Sequence, residues 1–420
     1  MILQRFGLTE RPRYLAKGRD RASIAAAVTA AARVFLSGQN ALAADGSVIG
    51  LGDPAAQTNA ALDHLEAALS AAGGSLGDIT KLTTCIVDRD HRKAVYEVIG
   101  RRLAGVFPVS TGLVVAGLPL PEMMVQIDAE AVIAAPGADP VRRLRTFALK
   151  DWFGQNIAWQ GAMVAASEQE IFVRGQTGAA LDGKSMEGLG RRPEDATAQA
   201  ERALSNLALL LREAGSGMDD VCKITVYISD RAYRPAVYPV IGKHFRGIHP
   251  VSTGIIMPAF ARPEILFELD AQVMSKRAGA PHTRVRPYHS NVARYGTQQQ
   301  PLNCDFCMAV RAGRHVVLRG QTGVDLNEIM RGHGDAVAQA RQAMDNVETL
   351  LAEAGARLSD VVKATVFVTD RAFLAGVSEA VLDRLDGVTP AFSVMIVKGL
   401  ASPELLMEID ITAVVADQRP

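Results

Sequence analysis

Two glutamates are the residues of this chain whose type and setting most clearly could do chemistry. Glu268 and Glu408 lie in the segments Phe-Glu-Leu-Asp-Ala and Met-Glu-Ile-Asp-Ile, whose polar–apolar alternation is typical of a β-strand. A carboxyl group held on a strand beside a cleft between domains could act as a general acid or base on a water molecule. The alternative is a structural carboxylate bound to the backbone of a neighbouring domain.

A small polar segment is the second candidate. It occurs as Ser110-Thr111-Gly112 and again as Ser252-Thr253-Gly254, each time after Pro-Val. Its hydroxyl and backbone N–H groups could bind a carbonyl oxygen or an oxyanion, whereas the simpler interpretation is a bend built from small residues. A serine nucleophile is disfavoured because these serines lie in no Gly-x-Ser-x-Gly motif and no histidine recurs beside them.

These segments belong to a unit that occurs three times. Lys81, Lys223 and Lys363 mark the same Asp-x-x-Lys phrase at separations of 142 and 140 residues. A repeat of about 140 residues is a whole domain, so we predict domains over 1–140, 141–280 and 281–420. In the third unit the Pro-Val-Ser-Thr-Gly phrase is degraded to Pro-Ala-Phe-Ser-Val.

The elements of each unit follow the order β-β-α-β-α-β-β. The first helix keeps one apolar face in every unit and ends at a glycine, which is a normal stop signal. This order predicts an α/β (α+β) domain with a mixed sheet and helices on one face. The other face must also be covered, and three sheets facing a pseudo-threefold axis would cover it, as in a trimer fused into one chain. Charged segments at Pro136–Arg145 and Lys276–Pro287 are interpreted as linkers.

Composition limits the partners. Lys+Arg and Asp+Glu are both 45, and a neutral chain without a basic stretch argues against nucleic-acid binding. Four cysteines make no disulfide framework, which favours the cytoplasm, and no apolar run is long enough for a membrane span.

The basic and alanine-rich segments Arg11–Arg21 and Ile24–Ala32 could pass for a leader. We interpret Ile24–Ala32 as a strand because Arg33 interrupts it and the other units contain its equivalents.

No cofactor is predicted. The Gly-x-Gly pairs before the first helices match no complete nucleotide fingerprint. Cys304-x-x-Cys307 stands without a second pair, and the scattered histidines have no metal-ligand spacing. The recurring lysines are interpreted as partners of carboxylates, although a Ser–Lys pair of a ring-opening amide hydrolase stays open as an alternative.

The combined landmarks resemble the reactive-intermediate-deaminase (RidA, YjgF-like) family. They are the Ser-Gly-Gln phrase, the Asp-x-x-Lys strand, the tyrosine helix with Tyr96 or Tyr238, the proline that follows it and the alternating last strand. The resemblance implies a chorismate-mutase-like fold, a trimeric assembly and ligand clefts between adjacent units. It also implies hydrolysis of imines and enamines to carbonyls and ammonia.

The resemblance assigns further residues to the clefts. The family's acidic residue, which positions a water, matches Gln126, Glu268 and Glu408, so the first unit has lost the ionisable group. The glycine that lies near the ligand in the family matches Gly38, Gly175 and Gly320. An N-terminal family aromatic makes Tyr14, Phe153 and Tyr295 candidates for cleft walls, whereas Tyr96 and Tyr238 are expected to anchor the second helix.

One departure from the family concerns charge. The family's carboxylate-binding arginine, two residues after the proline, is replaced by Ser110, Ser252 and Phe392. Either the substrate lacks a carboxylate, or another cation binds it. Arg174 and Arg319 are the replacements considered, although strand alternation would place each on the face opposite its neighbouring glycine.

The sequence therefore predicts an intramolecular pseudotrimer, monomeric as a chain, that binds a small-molecule substrate. The expected activity is hydrolysis of C–N bonds, with an imine, enamine or aminomuconate-like compound as substrate and Glu268 and Glu408 as catalytic residues. A non-catalytic ligand-binding or chaperone-like protein remains the second hypothesis.

Overall fold

The computed structural model describes residues 3–10, 22–135, 137, 141–151, 156–276, 282–295 and 298–416. The elements of the first domain are β1 (Leu3–Glu10), β2 (Ala22–Ala30), β3 (Arg33–Leu36), β4 (Gln39–Asn40), α1 (Pro54–Ala71), β5 (Ile79–Ile86), α2 (Arg92–Arg102), β6 (Val109–Val114) and β7 (Val125–Val132). Those of the second are β8 (Arg142–Ala148), β9 (Gln160–Ala166), β10 (Glu170–Val173), β11 (Gln176–Thr177), α3 (Pro193–Glu213), β12 (Val221–Ile228), α4 (Arg234–His244), β13 (Val251–Ile256), β14 (Ala259–Phe260) and β15 (Phe267–Met274). Those of the third are β16 (His282–Val285), β17 (Tyr288–Tyr295), β18 (Gln298–Phe306), β19 (Ala309–Ala312), β20 (His315–Leu318), α5 (Ala336–Glu353), β21 (Val361–Val368), α6 (Arg371–Arg384), β22 (Ala391–Ile396) and β23 (Met407–Val414).

Each domain has a mixed sheet with its helices on the outer face, as predicted. The central strand of the first domain, β5, runs parallel to β6 and antiparallel to β7. In the second domain β12 runs parallel to β13 and antiparallel to β15, and in the third β21 runs parallel to β22 and antiparallel to β23. The predicted apolar helix faces are confirmed, because in α3 Leu204, Leu207 and Leu211 are buried in the core. The equivalent faces of α1 and α5 are buried in the same way.

The helix boundaries follow their capping residues. Asp53 and Asp335 cap α1 and α5 by accepting hydrogen bonds from two backbone N–H groups each. Asp195 lies one turn inside α3 and accepts from the backbone N–H of Arg192 at 2.9 Å. Each first helix is followed by a glycine with positive φ, a conformation that is strained for other residues. These glycines are Gly73, Gly215 and Gly355.

The segments interpreted as linkers are only partly linkers. Their second halves form β8 and β16, which pair antiparallel with β9 and β19. The charged residues suggested linkers, but basic residues are also common on edge strands. In β8, Arg143 donates to the carbonyl oxygen of Ile79 at 2.8 Å, and Arg145 forms an ion pair with Glu213.

The three domains surround a pseudo-threefold axis through equivalent contacts. The first strand of each hairpin donates a backbone hydrogen bond to the proline carbonyl of the preceding domain. These bonds are Ala162 to Pro108 at 3.2 Å, Cys307 to Pro250 at 3.3 Å and Ala25 to Pro390 at 3.0 Å. The third domain thus closes onto the first, as expected for a pseudotrimer.

Three buried ion pairs line this axis. Lys81 pairs with Asp270, Lys223 with Asp410 at 2.7 Å, and Lys363 with Asp128 at 2.9 Å, always between two domains. The lysines point to the axis because they alternate along the central strands with core residues such as Leu82. The interpretation of the lysines as partners of carboxylates is therefore confirmed.

We expect Lys223→Met to lower the free energy of unfolding by about 3–5 kcal/mol, because Asp410 would stay buried without its cation. The shift of the first transition in a guanidinium chloride titration measures this loss. Lys93→Met, which removes an exposed pair with Glu97 on α2, is the matched control and should cost less than about 1 kcal/mol. Equal losses in the two variants would contradict the role of the axial pair.

Candidate functional site

Two clefts lie between adjacent domains. The first cleft, of about 50 Å³, lies between the first and second domains. Its walls include Arg92, Tyr96, Ser110, Gly112, Trp159, Arg174, Gly175, Arg262 and Glu268. The second cleft, of about 350 Å³, lies between the second and third domains. Its walls include Arg234, Tyr238, Ser252, Gly254, Tyr288, Phe306, Arg319, Gly320 and Glu408.

Glu268 and Glu408 occupy equivalent places in the two clefts. They lie on β15 and β23 and are 5% exposed. Burial raises the pKa of each carboxyl to about 8, although Arg174 and Arg319 oppose the increase. Both groups are therefore mostly protonated at pH 7, and each can both give and take a proton near neutral pH.

The predicted glycines lie directly against these side chains. A Cβ atom at Gly175 or Gly320 would overlap the carboxyl oxygen of Glu268 or Glu408. At the third position, a Cβ on Gly38 would come within 2.6 Å of the Gln126 amide. Glycine at these positions is thus required by the close approach of the neighbouring strand.

The Ser-Thr-Gly segments contribute alternate residues to the clefts. Ser110 and Gly112 line the first cleft, and Ser252 and Gly254 line the second. The threonines between them face the axis, because side chains alternate along a strand.

The substrate contacts predicted for Thr111 and Thr253 do not fit this arrangement. Thr111 donates to Asp270 at 3.1 Å, and Thr253 donates to Asp410. Both hydroxyls therefore support the axial ion pairs.

Arg174 and Arg319 reach the clefts despite the expectation from alternation. The regular strand stops between β10, which ends at Val173, and β11, which begins at Gln176, so alternation does not apply to Arg174. The Arg174 guanidinium lies 5.0 Å from the ring centroid of Phe147, and that of Arg319 lies 5.9 Å from Tyr288. Burial lowers the pKa of Arg174, and the charge of Glu268 counteracts this effect.

A second arginine in each cleft was missed by the sequence analysis. Arg92 and Tyr96 lie one turn apart on α2, with the guanidinium 5.0 Å from the ring centroid. Arg234 and Tyr238 repeat the arrangement on α4 at 4.3 Å, and Arg234 Nη1 donates to Tyr238 Oη at 2.9 Å. The detectable signal was Arg-x-x-x-Tyr, which is present in two units.

Tyr96 and Tyr238 are buried in the hydrophobic core, which fits the expected role as anchors of the second helix, and they also line the clefts. Tyr96 Oη lies 3.5 Å from Ser110 Oγ. Of the aromatic residues predicted for the cleft walls, Tyr14, Phe153 and the side chain of Tyr295 lie outside the described residues. The aromatic residues observed there are Trp159 in the first cleft and Tyr288 and Phe306 in the second.

The third interface, between the third and first domains, has different residues at the same positions. Leu374 and Ser378 replace the arginine and tyrosine, and both are buried. Phe392, which replaces the cleft serine, donates its backbone N–H to Ser37 Oγ at 2.9 Å. Gln126 donates to Asp128 at 3.3 Å. This interface therefore lacks the glutamate and both arginines.

Comparison with known proteins shows the family. The model of the endoribonuclease L-PSP family (Ribonuc_L-PSP) matches residues 21–133, 158–275 and 297–415. The chain therefore belongs to this family, the YjgF/RidA family, and contains its domain three times.

Individual relatives match one domain length. A 2-iminobutanoate/2-iminopropanoate deaminase of Escherichia coli is 33% identical over 114 residues, which are 26% of this chain and 86% of the relative. Protein DfrA of Myxococcus xanthus is 36% identical over 105 residues, which are 25% of this chain and 79% of the relative.

The whole three-domain fold also has a solved counterpart. A chorismatase structure covers 80% of this chain and 93% of its own, with a TM-score of 0.54 and 14% identity, which shows likeness of fold alone.

In the described part of the chain, no helix combines the length and apolar character needed to cross a membrane. The His, Cys, Asp and Glu side chains of the same residues form no cluster of three arranged to hold a metal ion.

We expect the two buried carboxyls to titrate near pH 8 because burial disfavours their charged forms. The Cδ chemical shifts of 13C-labelled glutamate, followed from pH 5 to pH 10, measure this directly. Glu268→Gln and Glu408→Gln each should remove one of the two late titrations. The same carboxyls should make the wild type lose stability as the pH rises from about 4.5 to about 8, since the folded state binds more protons in this window. Titration of both groups below pH 5 would contradict the prediction.

Proposed function

We propose that this protein hydrolyses C–N bonds and deaminates a small imine or enamine, of the aminomuconate-like type, in its first and second clefts. The observation that carries the proposal is the buried glutamate that faces arginine in both clefts, Glu268 with Arg174 and Glu408 with Arg319. Membership of a family that includes an imine deaminase supports the same chemistry.

The proposed reaction uses the glutamate in both protonation states. The ionised carboxylate takes a proton from water as the water oxygen bonds to the imine carbon, and the C=N π electrons move to nitrogen. The carboxyl then returns the proton to the nitrogen of the carbinolamine. The carboxylate next takes the hydroxyl proton and passes it to the amino nitrogen, so that ammonia leaves as the C–N bond breaks and the oxygen forms the carbonyl. An enamine substrate would first be protonated at carbon by the same carboxyl group.

The cleft serines have a supporting part in this proposal. Ser110 and Ser252 lie on the wall contributed by the preceding domain. Their hydroxyls are proposed to hold the attacking water and the carbinolamine oxygen. Their use as nucleophiles activated by lysine is disfavoured, because Lys81 and Lys223 form ion pairs with Asp270 and Asp410.

A non-catalytic ligand-binding protein is the second candidate. The third interface favours it, since it has Gln126, Ser378 and Phe392 where the two clefts have a glutamate, a tyrosine and a serine. The first and second clefts, in contrast, contain the glutamate, the tyrosine and the serine.

We expect ammonia release from freshly generated 2-iminopropanoate or 2-aminomuconate, with kcat/KM rising with pH up to about 8 as the glutamates ionise. The double variant Glu268→Gln/Glu408→Gln should lose about 100-fold or more, because the amide cannot transfer the proton. Each single variant should keep the activity of the other cleft.

The matched control is Gln126→Met at the third interface, which should retain the wild-type rate. Turnover that survives the double variant would contradict the glutamate mechanism. Ligand binding without ammonia release across acyclic imines, neutral cyclic imines and amides would favour the non-catalytic candidate.

A further inference from the structure

Each open cleft is lined by its glutamate together with one arginine from each of the two adjacent domains. Arg92 and Arg234 come from the second helix of one domain, and Arg174 and Arg319 come from the turn before the short strand of the next. The charges of both arginines act on the carboxyl group in each cleft, for Arg174 and Arg92 on Glu268 and for Arg319 and Arg234 on Glu408.

We propose that these paired arginines bind a substrate with two carboxylates, one at each end, and hold its C–N bond against the glutamate. The inference rests on the proposed function and specifies its substrate class. Arg92 and Arg234 then act as specificity-determining residues that the family landmarks do not include.

The stacking of the arginines fits this role. Each of the four guanidiniums lies over an aromatic ring, namely Tyr96, Phe147, Tyr238 or Tyr288. The contact with the ring restrains each guanidinium, whose N–H groups form a planar fork. A carboxylate accepts two of these N–H groups in the same plane, whereas a neutral ligand group gains less from the arrangement.

The third interface supplies an internal comparison. It has Leu374 for the helix arginine, Ser37 for the turn arginine and Gln126 for the glutamate. These three groups occur together in two units and are absent together from the third, although they come from separate segments. Joint presence is expected when the groups act on one ligand.

A glycine was replaced in the same way. A Cβ at Gly254 would come within 2.6 Å of Tyr238 Oη and 2.9 Å of Arg234 Nη1. The third unit has Val394 at this position, and its tyrosine is Ser378. The glycine therefore makes room for the arginine–tyrosine pair, and the valine is found where the pair is missing.

Calorimetry with two unreactive probes tests the inference. The probes are trans,trans-2,4-hexadienedioate and trans,trans-2,4-hexadienoate, which share the diene and differ by one carboxylate. We expect the dicarboxylate to bind the wild type at least about 10-fold more tightly, since each carboxylate adds a charge-assisted, bidentate contact. Equal affinities would overturn the inference.

Variants of the second cleft locate the two contacts. Arg234→Gln and Arg319→Gln should each weaken dicarboxylate binding at that cleft by at least about 10-fold, and the double variant should bind the two probes equally there. Arg234→Lys, which keeps the charge without the planar fork, should give an intermediate loss that separates recognition from misfolding. Arg384→Gln, on the exposed side of α6, is the matched control and should change neither affinity.

The outcomes separate this inference from the proposed function. Dicarboxylate binding that depends on both arginines, without ammonia release from any imine, would overturn the function and keep the substrate class. Glutamate-dependent turnover of 2-iminopropanoate that is unchanged in Arg234→Gln and Arg92→Gln would keep the function and overturn the dicarboxylate inference.

Discussion

The clefts depend on the three ion pairs at the pseudo-threefold axis. Each lysine pairs with an aspartate of the next domain and also donates to a backbone carbonyl just before the cleft glycine, as Lys223 does to Leu318 at 2.9 Å. The next residues along the chain are Arg319 and Gly320. One buried cation therefore holds two domains together and fixes the turn that carries an arginine into the cleft between them. Such a pair costs desolvation, but it specifies one arrangement of the domains.

Covalent fusion allows the three domains to differ where a homotrimer must repeat one residue. Arg33, Glu170 and His315 each begin the second strand of a hairpin and face the same axial cavity. Arg33 forms ion pairs with Glu170 and Glu130, and burial lowers the pKa of His315 to about 3, which leaves it neutral. Three identical charges would repel one another at this position. The three interfaces between the domains differ in the same way, since two contain the ionisable groups and the third has uncharged residues at the same positions.

Sequence reasoning succeeded where the signal lies within one repeat. The triplication and the helix faces follow from spacing and periodicity, and the ordered landmarks of each unit indicate the family. The resemblance to that family in turn assigned the glutamates and the glycines. It failed where the position of a side chain depends on a neighbouring domain. Thr111 and Thr253 were grouped with the serines beside them, yet their hydroxyls meet aspartates from the next domain. Strand alternation argued against Arg174 as a cleft residue. The regular strand ends at Val173, however, so alternation does not apply to the next residue.

The sequence by itself determined the number of domains, their fold class and the difference of the third position from the other two, because these properties are encoded in local pattern and in comparison between repeats. Only the tertiary structure decided that Arg92 and Arg174 line one cleft with Glu268, and that Arg234 and Arg319 line another with Glu408. Those residues are separated by more than 80 positions and belong to two domains. They come together because the three domains close around the axis, and the sequence of a single repeat does not indicate that arrangement.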